Sequence, residues 1–96
     1  MVTTVLEATV AQEKWSLLEE TYRGEATQLP PQMVSTSLLQ GTKDRTIWQI
    51  VSVWKSREAL EEMRSSEEIP AGIRMFRMTG AEPSLTVYDV LVSATI

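Results

Sequence analysis

The sequence predicts an α+β fold: a ferredoxin-like split β-α-β sandwich, with helices on one face of the sheet and a second copy of the chain on the other. Three observations carry this reading. The apolar period alternates between the strand and helix values in the order strand, helix, strand, strand, helix, strand, the split β-α-β order. Two of the strands are apolar on both sides, and the chain supplies helices enough to cover only one. Finally, 96 residues hide only roughly 60–65% of their unfolded surface, so the core is thin and gains from a partner.

Residues 1–96 read as a single domain, with no linker, repeat or low-complexity tract. Val2 to Val10 alternates and is rich in Val and Thr, which predicts the first strand. From Gln12 to about Ala26 the period changes to helical. Trp15, Leu18 and Tyr22 fall on one face, Leu17 widens that stripe, and Gly24 weakens the end. Pro30-Pro31 stops any helix and forces an extended entry to a strand from Met33 to Gln40. Gly41-Thr42-Lys43-Asp44 is a polar turn of hairpin length, and Arg45 to Trp54 is the clearest strand. Ser56 is placed to cap the next helix, with Glu58 in its first turn and Ala59, Leu60 and Met63 inward. Pro70 opens a further short helix with Ile73 and Phe76 inward and Gly80 as its C-terminal cap, while Met33, Met63, Met75 and Met78 fill gaps. Glu82-Pro83-Ser84 turns the chain into a last strand from Leu85 to about Ala94.

The third strand carries Ile47, Val51 and Val53 on one side and Trp48, Ile50 and Trp54 on the other. The fourth carries Leu85, Val87 and Leu91 against Tyr88, Val90 and Val92. An exposed face of that size marks an interaction surface, and a closed two-fold pair is the commonest way to cover it, so a homodimer is expected.

Composition excludes several classes of function. Lys and Arg number 9 against 13 acidic residues, for a net charge of −4, and the cations are scattered singly. Phosphate neutralisation needs a basic stripe, so no nucleic-acid partner is expected. No apolar run approaches a membrane span and no charged-then-apolar leader is visible, which leaves the cytoplasm as the expected place and no membrane partner. Cysteine and histidine are both absent. That removes disulfides, thiolate chemistry, the usual metal ligands and the commonest general base, so no metal and no cofactor is expected. Any acid–base group must be a carboxylate, a Tyr, a Lys or a bound water.

The segment Trp48-Gln49-Ile50-Val51-Ser52-Val53-Trp54-Lys55-Ser56-Arg57-Glu58-Ala59-Leu60 resembles the antibiotic biosynthesis monooxygenase-like family. The shared feature is a strand ending in Trp, a spacer, Ser, and a helix opening with Glu-Ala and a large apolar residue. The order of elements agrees over nearly the whole chain. The resemblance implies a dimeric α+β barrel with a pocket between the sheet and its helices. It also implies either a cofactor-independent oxygenase acting on phenolic polyketides or a haem-degrading enzyme. At the family's oxygenase positions Trp54 matches, Ile50 stands for an Asn and Leu60 for a Tyr; the iron-binding His has no counterpart.

Eight residues are candidates for a site. Trp54 and Trp48 would pack a substrate, against the alternative that both are core. Glu7 and Asp89 interrupt apolar or hydroxyl-bearing strands that are neighbours in this fold. On a shared dry face their proton affinities would separate into an acid and a base, whereas in the plainer reading they are solvated or pair with Arg74 or Arg77. Tyr88 or Tyr22 would supply a phenolic hydroxyl, unless each is an ordinary half-buried Tyr with a wet tip. Arg74 and Phe76, near the expected pocket mouth, would hold an anionic or aromatic ligand, unless they are a surface cation and a core ring. The function implied is a cofactor-free monooxygenase-like protein acting on a small aromatic or polyketide-like molecule. The alternative is a non-catalytic small-ligand binder or a structural dimeric barrel.

Overall fold

The computed structural model describes residues 1–66 and 69–95. The strands are β1 (Val2–Thr9), β2 (Met33–Gln40), β3 (Ile47–Trp54) and β4 (Ser84–Asp89). The helices are α1 (Trp15–Glu25), entered through a 3-10 turn at Gln12–Lys14, α2 (Arg57–Ser66) and α3 (Ala71–Met78). The sheet is antiparallel throughout in the order β2-β3-β1-β4. This is the α+β, ferredoxin-like arrangement, with all three helices against one face.

Side-chain parity decides that face. Val2, Thr4, Leu6 and Ala8 of β1 and Trp48, Ile50, Ser52 and Trp54 of β3 are buried, and their odd-numbered neighbours are not. Leu18 of α1, Leu60 and Met63 of α2, and Met75 and Phe76 of α3 close over them. The apolar atoms gather in two clusters, one around Leu6, Ile50, Leu18 and Phe76, the other around Val2, Trp54, Leu60 and Met63.

Local chemistry sets the boundaries. The Ser56 hydroxyl accepts from the Ala59 N–H at 3.0 Å and so caps α2 as expected. Gly80 ends α3 at φ 82, where it donates to Arg77 O at 3.0 Å while Ala81 donates to Phe76 O at 3.2 Å, the paired bonds of a Schellman cap. Pro70 stands one residue before α3 in extended conformation. Gly72 lets α3 press onto β1: a Cβ there would lie 2.6 Å from Leu6 Cδ1.

Several sequence expectations are corrected. Leu17 is exposed and does not widen the α1 stripe, and Met78 is exposed and fills no gap, because both point away from the sheet. Pro30 and Pro31 build a turn, with Pro30 O accepting from Met33 N at 3.0 Å, in place of an extended entry. The last strand ends at Asp89, not near Ala94. Asp89 pairs with Val2, the first residue of β1, and beyond it the one further bond to that strand's end is from Val90 N to Met1 O. Leu91 and Val92 are consequently 89% and 91% exposed.

Candidate functional site

Three adjacent rows of side chains on the helix-covered face frame the site. Leu38, Ile50, Leu6 and Leu85 form one apolar row, and four residues along β1 Met33, Trp54 and Val2 form another that ends in Asp89. Between them lies a row that is polar on three strands: Thr36, Ser52 and Thr4, ending in Val87. The two apolar rows belong to the two core clusters, so the hydroxyl row marks their division. Above it the helices stand off the sheet and leave a cavity of about 300 Å³. Thr4, Ser52, Thr36 and Trp54 are its floor. Tyr22 of α1, Leu60 and Met63 of α2, Ala71, Gly72 and Met75 of α3, and the exposed Leu29 of the loop before β2 are among its walls.

The floor is hydrogen-bonded within itself. Tyr22 Oη donates to Thr36 Oγ1 at 3.0 Å, Thr36 Oγ1 and Ser52 Oγ share a bond of 3.1 Å, and Trp54 Nε1 donates to Thr4 Oγ1 at 3.0 Å. Burying hydroxyls and an indole N–H is tolerable because they satisfy one another. Among the described residues two charged ones reach the lining, Glu25 and Arg64. Glu25 accepts from Arg74 at 3.0 Å, a pair that ties α1 to α3, and Arg64 lies 3.7 Å from Glu61. The interior is therefore apolar in its walls and neutral-polar in its floor. It suits a small aromatic or alicyclic molecule with a few hydrogen-bonding atoms.

Displaced proton affinities are found on the surface. The Thr46 hydroxyl and backbone N–H hold the Asp44 carboxyl below its usual range, in the β2–β3 turn. Hydrogen bonds from Arg77 hold Glu82 low, and the same pairing raises Arg77.

The sequence-predicted residues separate into those at the cavity and those away from it. Trp54 is 4% exposed and faces the cavity. Trp48 shares its face but packs in the core against Trp15, ring centroids 6.1 Å apart, with its indole nitrogen buried and unpaired among the described residues. Phe76 is fully buried core, and Arg74 is the exposed partner of Glu25. Glu7 and Asp89 do not share a face. Glu7 lies on the open side, opposite Ser84, and accepts from Gln49 at 2.8 Å. Asp89 lies at the other end of β4, on the helix side, and pairs with Arg57 at 3.2 Å. Neither meets Arg74 or Arg77. Tyr88 stands on the open face, 55% exposed. No acid–base pair forms from these three.

The residues that sequence reasoning passed over are Thr4, Thr36 and Ser52, whereas Tyr22, a candidate hydroxyl, does reach the cavity floor. The signal available was parity: Thr4 and Ser52 are the polar members of otherwise apolar sets in β1 and β3.

Comparison with known proteins gives a consistent result. The family model of antibiotic biosynthesis monooxygenase matches residues 1–75. Among curated proteins no match to the sequence is found. Among solved structures, the heme-degrader MhuD from Mycobacterium tuberculosis, with two hemes bound in its active site, superposes with a TM-score of 0.75 at 19% identity, over 99% of this chain and 100% of that one. SnoaB from Streptomyces nogalater, a cofactor-independent oxygenase solved as a mutant, gives 0.72 at 16% identity, over 96% and 94%. A Deinococcus radiodurans protein assigned to the antibiotic biosynthesis monooxygenases gives 0.75 at 14% identity, over 100% and 98%. At these identities the likeness is one of fold.

Proposed function

The chain belongs to the antibiotic biosynthesis monooxygenase family, and on that premise we propose that it is a homodimeric, cofactor-independent monooxygenase-like protein. Its substrate is a small aromatic or polyketide-like molecule held in the cavity between sheet and helices. The observation that carries the reading is the cavity itself: largely apolar walls, a hydroxyl floor and Trp54, all supplied by this chain's own elements.

The donor set separates this reading from haem chemistry. Haem iron takes His, Cys or Tyr, or Met beside His. The chain has no His or Cys; of its two tyrosines, Tyr22 donates its hydroxyl to Thr36 and Tyr88 stands on the open face away from the cavity. The residues do not fit haem ligation, and no step is routed through it. A cofactor-free oxygenation draws its electrons from the substrate, which must therefore be electron-rich. Trp54 offers its ring for packing, since its N–H is bound to Thr4.

The dimer is supported by the open face. Val5, Ile47, Val51 and Val53 are half-buried there, and Leu39 and Tyr88 are exposed. Sedimentation at micromolar concentration should give twice the mass of one chain, and a stable monomer would defeat the argument.

A second reading is favoured by one observation: Glu7, Asp89 and Tyr88 all stand outside the cavity. A non-catalytic binder of the same ligands needs no acid or base. Oxygen uptake with hydroxylated naphthalenes, measured beside quenching of tryptophan fluorescence, distinguishes the two. Uptake and binding that are both abolished by Leu29→Trp, which plugs the cavity, support the enzyme. Binding without uptake supports the binder. Binding unaffected by the plug refutes the cavity as the site.

A further inference from the structure

Counting hydrogens on the cavity floor leaves two unspent. A hydroxyl has one hydrogen to give and two lone pairs to receive with. An indole N–H only donates, so Thr4 Oγ1 is the acceptor of Trp54 and keeps its own hydrogen. Tyr22 gives its hydrogen to Thr36. Thr36 and Ser52 share a single bond, which spends one of their two hydrogens and leaves the other. Either oxygen of that pair can donate; donation from Thr36 continues the run from Tyr22 to Thr36 to Ser52 and lets each bond polarise the next. It delivers the unspent hydrogen to Ser52, the cross-strand partner of Thr4.

Both oxygens belong to residues more than nine-tenths buried, Thr4 at 8% and Ser52 at 5% exposure, and both line the cavity. A buried donor without an acceptor is costly. Cross-strand Cβ atoms lie about 4.5–5.5 Å apart. One oxygen atom set between two such hydroxyls can therefore accept from both at ordinary distances of about 2.7–2.8 Å.

We propose that Thr4 and Ser52 are the specificity-determining residues of this cavity, a two-donor cradle that seats one neutral acceptor oxygen of the ligand, a ketone, quinone or ether oxygen. The inference rests on the reading of the cavity as the ligand site and goes beyond it by assigning the polar contact. A carboxylate is disfavoured, because its charge would be buried on a floor whose own groups are all neutral. Trp54 contributes ring surface and holds Thr4 in orientation.

The test compares two ligands with one carbon skeleton, 1-tetralone, which has a carbonyl, and tetralin, which has none, by calorimetric titration. Wild-type protein should bind 1-tetralone about tenfold more tightly than tetralin, the worth of a good hydrogen-bonded seat over an empty one. Thr4→Val and Ser52→Ala should each bring that ratio close to one while leaving tetralin affinity within about twofold. Thr4→Ser should restore the ratio. Should Thr4→Val fail to fold, Ser52→Ala carries the comparison alone. If the wild type shows no preference, or keeps it in the variants, the cradle is refuted, while tetralin binding lost in Leu29→Trp leaves the cavity reading standing. If neither ligand binds the wild type, the cavity reading fails and the cradle with it.

Discussion

Thr4 has a structural duty that is measurable without any ligand. Its Oγ1 is the acceptor for Trp54 Nε1 at 3.0 Å, and Trp54 is buried. Thr4→Val keeps the shape and removes the acceptor. The orphaned N–H then costs about 1–3 kcal/mol, toward the lower end where a water in the adjoining cavity takes over the bond. For a domain of this size each kcal/mol moves the melting temperature by about 4–8 °C, so the variant should melt on the order of 10 °C below the wild type. The assay is thermal unfolding followed by near-ultraviolet circular dichroism, at fixed protein concentration because a dimer's melting point depends on it. A double-mutant cycle isolates the cause. In a Trp54→Phe background there is no N–H to satisfy, and Thr4→Val should be neutral to within about 0.5 kcal/mol, giving a coupling of about 1–3 kcal/mol. An equal cost in both backgrounds would refute the reasoning, since Thr4 would then be acting through something other than the indole.

Three further outcomes follow from the same geometry. Gly72→Ala sets a Cβ 2.6 Å from Leu6 Cδ1; because Leu6 borders the cavity it turns inward, so the variant should lose only about 1 kcal/mol of stability but bind aromatic ligands more weakly, read by melts beside titration. Glu7→Gln and Asp89→Asn should each change stability by less than about 1 kcal/mol, since both carboxylates make exposed surface contacts, and should leave ligand affinity untouched; a loss of oxygen uptake in either would restore the carboxylates as candidates. Asp44 and Glu82 have folded-state proton affinities held low by Thr46 and Arg77. Their stabilisation is therefore present above the ordinary carboxylate range, about 4, and is lost as pH falls through their lowered values; melts from pH 7 to 3 should show this acid arm flattened in the Asp44→Asn, Glu82→Gln double variant.

The elements were legible because each rests on short-range chemistry. Met33 to Gln40 reads correctly as a strand, Ser56 as a cap and Gly80 as a helix stop, and in the structure β2, the Ala59 N–H bond and the positive φ of Gly80 stand at those positions. The shared face of Trp48 and Trp54 follows from parity alone. The errors are those of length and exposure. The end of β4 depends on which residues of β1 it meets, a long-range fact, and the apolar residues Leu91 and Val92 give no local sign that the pairing stops at Asp89.

The site was less legible because it depends on register between strands. Within β1 the parity of Thr4 and Glu7 is readable, and so is that of Tyr88 and Asp89 within β4. Which parity of one strand joins which parity of the next is fixed only by the pairing. Val2 meets Asp89, so Glu7 shares its face with Ser84, Thr86 and Tyr88, and Asp89 goes to the other side. A shift of one residue would have reversed that assignment. The third hydroxyl depends on an irregularity. Counting by twos from Met33, which sits opposite Trp54 on the helix side, puts Ser35 on that side and Thr36 on the open one. The register instead shifts between Met33 and Ser35, so that Val34 is the extra residue of a bulge and Ser35 meets Val53. Thr36 is thereby turned over onto Ser52, where Tyr22 reaches it. A single inserted residue with no sequence signature of its own thus completes the polar row, and with it the floor on which the proposed ligand oxygen rests.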